Sequence, residues 1–153
     1  MSEQGAETSF QLQRIYVKDI SFEVPGAPEV FLQSWQPQVN LQLNTHTQRV
    51  GDSGTDYEVV LELTVTASNE DKVVYLVEIQ QAGIFTAQGF QGEELEHLLG
   101  AYCPNLLFPY AREAVSDLVN RGTFPQLLLQ PINFDALYHQ AKQQQAEEAV
   151  NQQ

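Results

Sequence analysis

Thirteen consecutive residues, Leu98 to Tyr110 (LLGAYCPNLLFPY), carry no charge in a chain whose formal net charge is −13. Around them apolar residues recur at helical spacing: Leu95, Leu98, Leu99, Tyr102, Cys103, Leu106, Leu107, Tyr110, Ala111, Ala114, Val115 and Leu118. That i, i+3, i+4 series is the stripe of a core-facing helix. Between Gly100 and Tyr110 the opposite side also turns apolar or small, with Ala101, Pro104, Phe108 and Pro109. A helix apolar all round has to be covered on more than one side. In a short chain one sheet covers one side, so the pattern predicts a second cover: another subunit or a bound ligand.

The sheet is written in the first half of the chain. From Phe10 to Val24 apolar residues alternate, but their parity switches twice: Phe10 and Leu12, then Ile15 and Val17, then Ile20, Phe22 and Val24. Period 2 assigns the face, so each switch predicts a bulge or bend in one long strand. Pro25, Gly26 and Pro28 end it and open an apolar connection holding Val30, Phe31, Leu32 and Trp35. Val39, Leu41 and Leu43 mark a second strand, followed by a polar turn over 45–55. Residues 57–67 and 72–85 alternate as a third and fourth strand, joined by a charged hairpin turn at 69–72. Short connections of this kind favour antiparallel pairing.

A Gly-rich join at 83–92 leads into a helix predicted over 93–120. Pro104 deletes the bond to the Gly100 carbonyl and disfavours helical backbone at Cys103, so a break or kink is expected there. After Arg121 and Gly122 comes an apolar connection, and Asn133 caps a last helix with Asp135 in its first turn. Past Lys142 the Gln- and Glu-rich tail is expected to fray. The expected organisation is a loose segment over 1–9, one domain over 10–142 and a polar tail over 143–153. Strands followed by helices give an α+β fold, a four-stranded antiparallel sheet with two principal helices on one face.

Composition removes several functions. At 153 residues one domain buries about 70% of its unfolded surface. Only 7 Lys and Arg are present against 20 Asp and Glu, which argues against nucleic acid and anionic membrane. No run is long enough to span a membrane, the N-terminus has no secretory pattern, and a single Cys suits a reducing compartment; a cytosolic protein is expected. Cys103 lies on the apolar stripe, where burial makes a thiol inert. Glu94 with His97, and Asp135 with His139, read as two separate surface pairs, and no zinc spacing or phosphate cradle is present. The residues thus point to surfaces: the apolar connections around 30–35 and 124–129, and an acidic face carrying Asp19, Glu23, Glu58, Glu62 and Glu78. The competing reading is a small-ligand-binding or thiol-dependent α+β enzyme using Cys103.

FQLQRIYVKDISFE (10–23), WQPQVNL (35–41), YEVVLELTVTAS (57–68), EIQQAGIF (78–85), GAYCPNLLFPYARE (100–113) and RGTFPQLLLQPINFDALY (121–138) together resemble the SecB protein-export chaperone family. The resemblance implies a cytosolic chaperone without enzymatic activity or cofactor, assembled as a homotetramer, a dimer of dimers. Such a chaperone holds unfolded preproteins and delivers them to the SecA motor ATPase. By position, Asp19, Glu23, Leu76 and Glu78 match the sheet-face site for the basic, zinc-bearing C-terminal tail of SecA, zinc belonging to that partner. The client grooves map to Phe31, Trp35, Val39, Leu41, Leu43, Phe124 and Leu127. Val77, Ile79 and Gln81 match positions sensitive for tetramer assembly. To that interface the charge-free segment adds Tyr102, Cys103, Leu106, Leu107 and Tyr110.

Overall fold

Four antiparallel strands form one sheet in the order β1-β4-β3-β2 in the computed structural model, which describes residues 7–34 and 36–151. They are β1 (Ser9–Glu23), β2 (Gln38–Arg49), β3 (Asp56–Asn69) and β4 (Lys72–Gln88). A 3₁₀ turn, Glu29–Leu32, lies in the first connection. Helical residues then run from α1 (Gly92–His97) through a π-helical turn at Leu98–Tyr102 into α2 (Cys103–Arg121), and α3 (Phe134–Asn151) follows. The α+β layout expected from the sequence is the one observed.

The parity switches in β1 are bulges. Its register against β4 shifts between Leu12 and Arg14 and again between Val17 and Asp19. Each shift returns the apolar residues to the same side. Phe10, Leu12, Ile15, Val17, Ile20 and Phe22 therefore pair in turn with Ala87, Phe85, Gly83, Gln81, Ile79 and Val77 of β4. The side chain of Gln81, buried on this apolar face, donates from Nε2 to the Tyr16 carbonyl at 3.2 Å, beside the second bulge. A buried amide needs such a partner.

α2 packs against β3 and β4. Cys103, Leu107, Ala111, Val115 and Val119 are fully buried against Val59, Leu61, Leu63, Val65, Val77 and Phe85. Gly83 sets how closely the helix approaches. A Cβ there would lie 2.9 Å from the Phe85 ring and 3.1 Å from both Leu107 Cδ2 and the Arg14 carbonyl. Gly83 is thus a packing residue inside β4 and not part of a join, since the strand runs on to Gln88. β2 likewise continues to Arg49, beyond the last apolar residue of the pattern. Its Thr45 and Thr47 are β-branched and pair with Leu61 and Val59, so the strand persists where hydrophobicity no longer marks it.

No break occurs at Pro104. Tyr102 and Cys103 both keep right-handed helical angles, and the Cys103 N–H reaches back to the Leu98 carbonyl, five residues away. The π turn shifts the bonding frame immediately before the proline, which absorbs the missing donor without interrupting the helix. At α3, Asn133 Oδ1 accepts from the Ala136 N–H at 3.0 Å, the expected cap. The helix does not fray at Lys142 but extends to Asn151. Its Gln, Ala and Glu residues are strong helix formers even with little to pack against.

Part of the expected second cover comes from the same chain. Ala101, Pro104 and Phe108 are buried, and the Phe108 ring meets Phe134 of α3 edge-on at 5.8 Å. What stays bare is one line along the helix: Tyr102 (47% exposed), half-buried Leu106, exposed Pro109 and Tyr110 (52%).

Gly83→Ala is expected to destabilise the fold by about 1–3 kcal/mol, the cost of overpacking. Urea unfolding should show a lower midpoint with an unchanged slope.

Candidate functional site

Two kinds of surface emerge, one on each side of the sheet. On the side away from the helices, Glu23 stands opposite Leu76, Ser21 opposite Glu78 and Asp19 opposite Gln80. The four residues expected to form a docking site are therefore brought together at one end of the β1–β4 pair. Three carboxylates share this face with the half-buried Leu76: Glu23 opposite it, Glu78 two residues along β4, and Asp19 farther on, opposite Gln80.

Further along the same face, Glu58 is held differently from the other acids. It is buried, and its carboxylate accepts from Tyr16 Oη, from Lys18 Nζ at 2.9 Å and from Gln48 Nε2 at 2.9 Å. Tyr16 and Lys18 lie on β1, two strands away, and reach Glu58 across β4. Ala82, opposite Tyr16, leaves the room for this. Burial pushes the Glu58 carboxyl up, but the bonds from Tyr16, Lys18 and Gln48 outweigh it and hold the group below its ordinary value. Tyr16 is pushed up to about 12 by burial and by the Glu58 carboxylate. Glu62 is engaged by His46 Nε2 at 2.7 Å. Glu58 is thus a structural tie among β1, β2 and β3, unlike Asp19, Glu23 and Glu78 of the same face.

On the helix side, the apolar residues of the two outer strands are only partly covered. Along β1, Leu12, Val17 and Ile20 are exposed, while Phe10 packs edge-on to Tyr102 at 5.5 Å. Together with Tyr102, Leu106 and Tyr110 they form a continuous apolar flank. Five other residues expected at an oligomer interface, Val77, Ile79, Gln81, Cys103 and Leu107, are buried inside the protomer. They shape the flank from beneath and offer no surface of their own. Val77, Ile79 and Gln81 were expected there from the family resemblance and Cys103 and Leu107 from the helical stripe, whose spacing does not distinguish its inner from its outer line.

The other flank lies along β2. Val39 is exposed, with Leu41 and Leu43 half-buried beside it. Phe31 of the first connection stacks on Phe124 of the second at 5.4 Å, and Phe124 packs on Tyr75 at 4.9 Å. The two apolar connections therefore meet. Phe124 is buried and serves as the floor, Leu127 is half-buried, and Phe31 is half exposed above them. Trp35 lies outside the described residues. Leu32 (89% exposed) and Leu128 (62%) are bare in the same two connections. A groove of about 290 Å³ runs between β2 and α3, lined by Leu43, Thr45, Gly100, Phe134, Leu137 and Tyr138. The α3 residues were missed by the sequence reading. Their signal was present, since Phe134, Leu137, Tyr138 and Ala141 follow i, i+3, i+4, i+7 spacing.

Cys103 is fully buried, and burial pushes its thiol up to about 12, so at neutral pH almost none is thiolate. His97, Asp135 and His139, read from the sequence as members of unrelated pairs, meet at the end of α1 and the start of α3. No helix among the described residues is long and apolar enough to cross a membrane.

A single helix laid over a four-stranded sheet, with bare apolar flanks to both sides, defines a protein that works by contact with other chains. Residues 3–145 match the family model for the preprotein translocase subunit SecB, and the chain belongs to the SecB family. It is 66% identical over 138 residues to the protein-export protein SecB of Alcanivorax borkumensis, covering 89% of this chain and 87% of that one. Among solved structures it is similar to the Mycobacterium tuberculosis Rv1957 SecB-like chaperone in complex with a ChAD peptide from the Rv1956 HigA1 antitoxin. That match has a TM-score of 0.66 at 21% identity, over 80% of this chain and 90% of that one. At such identity the likeness speaks for the fold.

Because Glu58 has a folded pKa below its unfolded value, its contribution to stability is present above about pH 4.3 and is lost as pH falls through the folded value. Glu58→Gln should cost about 1–3 kcal/mol at neutral pH, since Lys18 and Tyr16 lose a charged acceptor. In acid the variant and the parent should converge. Urea titrations at pH 7 and in the acid limb check both expectations.

Proposed function

We propose that this protein is a cytoplasmic, nucleotide-independent chaperone that holds unfolded preproteins along its β2 flank and delivers them to the SecA motor ATPase. The observation that carries the reading is the stack of Phe31 on Phe124, with Leu32 and Leu128 exposed in the same two connections, on the side of the sheet that also carries the β2–α3 groove. Each buried apolar side chain is worth about 1.5–3 kcal/mol, so several weak contacts along one unfolded chain add up. Such contacts need little sequence recognition, and a folded protein does not present the extended apolar segments they require. The kinship with a protein-export SecB supports the same reading.

The outer acidic cluster of Asp19, Glu23 and Glu78 around Leu76 is the docking site for the basic, zinc-bearing tail of SecA. The β1 flank is the face through which chains assemble, as a dimer of dimers, with Tyr102, Leu106 and Tyr110 in contact and Val77, Ile79, Gln81, Cys103 and Leu107 supporting them from inside. No catalytic step and no cofactor enter this function. The thiol-enzyme reading requires a reactive Cys103, and its complete burial speaks against that.

Client and SecA binding should separate by mutation. Leu32→Asp with Leu137→Asp is expected to weaken holding of a slow-folding client by about tenfold or more while leaving the SecA tail bound. Asp19→Ala with Glu78→Ala is expected to do the reverse, weakening the tail by about tenfold and most at low salt. Refolding-delay assays and titration with the zinc-loaded SecA tail read the two. If the acidic variant binds the tail as the parent does, the docking assignment fails.

Light scattering of the parent chain should report four copies per particle. Tyr102→Asp with Tyr110→Asp should yield a smaller particle of unchanged helix and strand content by circular dichroism. A parent protein that remains monomeric with and without an unfolded client would overturn the assembly.

A further inference from the structure

The histidine–carboxylate cluster on the outside of the helical layer has no part in the function above. His97 ends α1, and Asp135 and His139 share one face of α3, four residues apart. Their ligating atoms all lie within 4.8 Å of one another. His97 Nε2–H donates to Asp135 Oδ1, and His139 Nε2 stands 3.8 Å from the other oxygen, Oδ2. One carboxylate therefore lies between two imidazoles, bonded to the first, and the two rings lie 6.1 Å apart and 28° from parallel.

The frame that holds these groups is ordered from three directions. The Asn133 cap starts α3 and turns Asp135 and His139 onto one side. Gly100 admits the Tyr138 ring, which would stand 3.0 Å from any Cβ there, so α3 sits close against the π turn. Tyr138 also meets both imidazoles edge-on, His97 at 5.3 Å and His139 at 5.5 Å. The neighbouring cation, Lys142, is bonded to Glu96 and lies over the Tyr138 ring, 5.7 Å from its centroid.

We propose that His97, Asp135 and His139 form a binding site for a divalent first-row transition metal that clamps α3 to the α1–π segment. Two imidazole nitrogens and one carboxylate oxygen are donors for zinc and its neighbours, whereas calcium and magnesium require oxygen ligands throughout. Bond lengths of about 2.0–2.2 Å place neighbouring ligands of a tetrahedral ion closer together than the outer limit of this cluster, so side-chain rotation suffices to close it. All three groups reach solvent, which leaves the remaining position to water. The site joins helices that the sequence separates by the whole 98–133 segment. Occupancy would therefore restrain α3, which borders the β2 groove.

The test is calorimetric titration of the metal-free full-length protein with Zn²⁺, together with the visible spectrum of Co²⁺. One ion per chain and the absorption of a tetrahedral, nitrogen- and oxygen-ligated Co²⁺ are expected. His97→Gln, Asp135→Asn and His139→Gln should each weaken Zn²⁺ by about tenfold or more. His46→Gln, which removes the chain's remaining histidine on the opposite face of the sheet, should leave it unchanged. Zn²⁺ should also slow hydrogen exchange of the α3 amides in the parent and not in His139→Gln. Absence of Zn²⁺ binding, indifference to the three substitutions, or loss of binding in His46→Gln would overturn the site. None of these readouts depends on client or SecA binding.

Discussion

One helix is narrower than four strands, and most of this molecule follows from that mismatch. Strands about 4.8 Å apart make a sheet wider than a helix of about 10–12 Å diameter can cover. α2 is seated over β3 and β4, fixed by the Leu107–Gly83 approach, so its coverage falls off toward both edges. The inward residues of β3 and most of those of β4 are buried, whereas Leu12, Val17 and Ile20 of β1 and Val39 of β2 are exposed on the same face. The bare flanks are therefore not accidents of surface composition. They are what remains when a sheet is given one long helix, and α3 with the two apolar connections only partly closes the β2 side.

The opposite face meets a different constraint. A sheet whose second side faces water has to hold its outer strands without a second layer. Glu58 supplies a tie, since its carboxylate collects donors from β1 and β2 at once and takes them across β4 above Ala82. That use of a carboxylate removes it from the pool of free charges. Among the described residues Asp19, Glu23 and Glu78 carry no such tie, and under the proposed function their charge, in a chain of net charge −13, attracts the basic partner.

The two bulges of β1 were legible because alternation records the face directly, and each parity switch has its own register shift. The Asn133 cap and the α+β layout were legible for a like reason, residue types tied to local geometry. Other features were not. A π turn has the same composition as an α turn, so nothing in LLGAY announces that it absorbs the donor lost at Pro104. The end of β2 was hidden because Thr45 and Thr47 carry strand geometry without hydrophobicity. Helical propensity beyond Lys142 was outweighed in the reading by polarity, which bears on burial and not on backbone. The stripe residues Leu107 and Tyr110 look alike at the level of spacing, yet one is interior and the other bare. Most remote from the sequence was the meeting of His97 with Asp135 and His139, because it depends on how α3 returns across the π turn and brings members of two separate pairs into one cluster.

Under the proposed function, two bare flanks with the same driving force have to do different things, one recognising a sister chain and the other an unfolded client. Their construction differs in the way those tasks require. The β1 flank is a strand edge beside a buried, continuous helix, and its Tyr102 and Tyr110 are large amphipathic rings with few internal freedoms. A rigid, repeated surface of that kind loses little entropy on pairing and favours one geometry, with an unpaired strand edge available to extend the sheet. The β2 flank is bounded by two connections and by a helix whose Phe134 is its one fully buried contact among the described residues. Such walls can adjust to side chains of different size, which is what a surface without sequence preference needs. Under that reading self-association and client holding fall on differently built flanks, and a clamp between α3 and the π turn would act on the β2 flank alone.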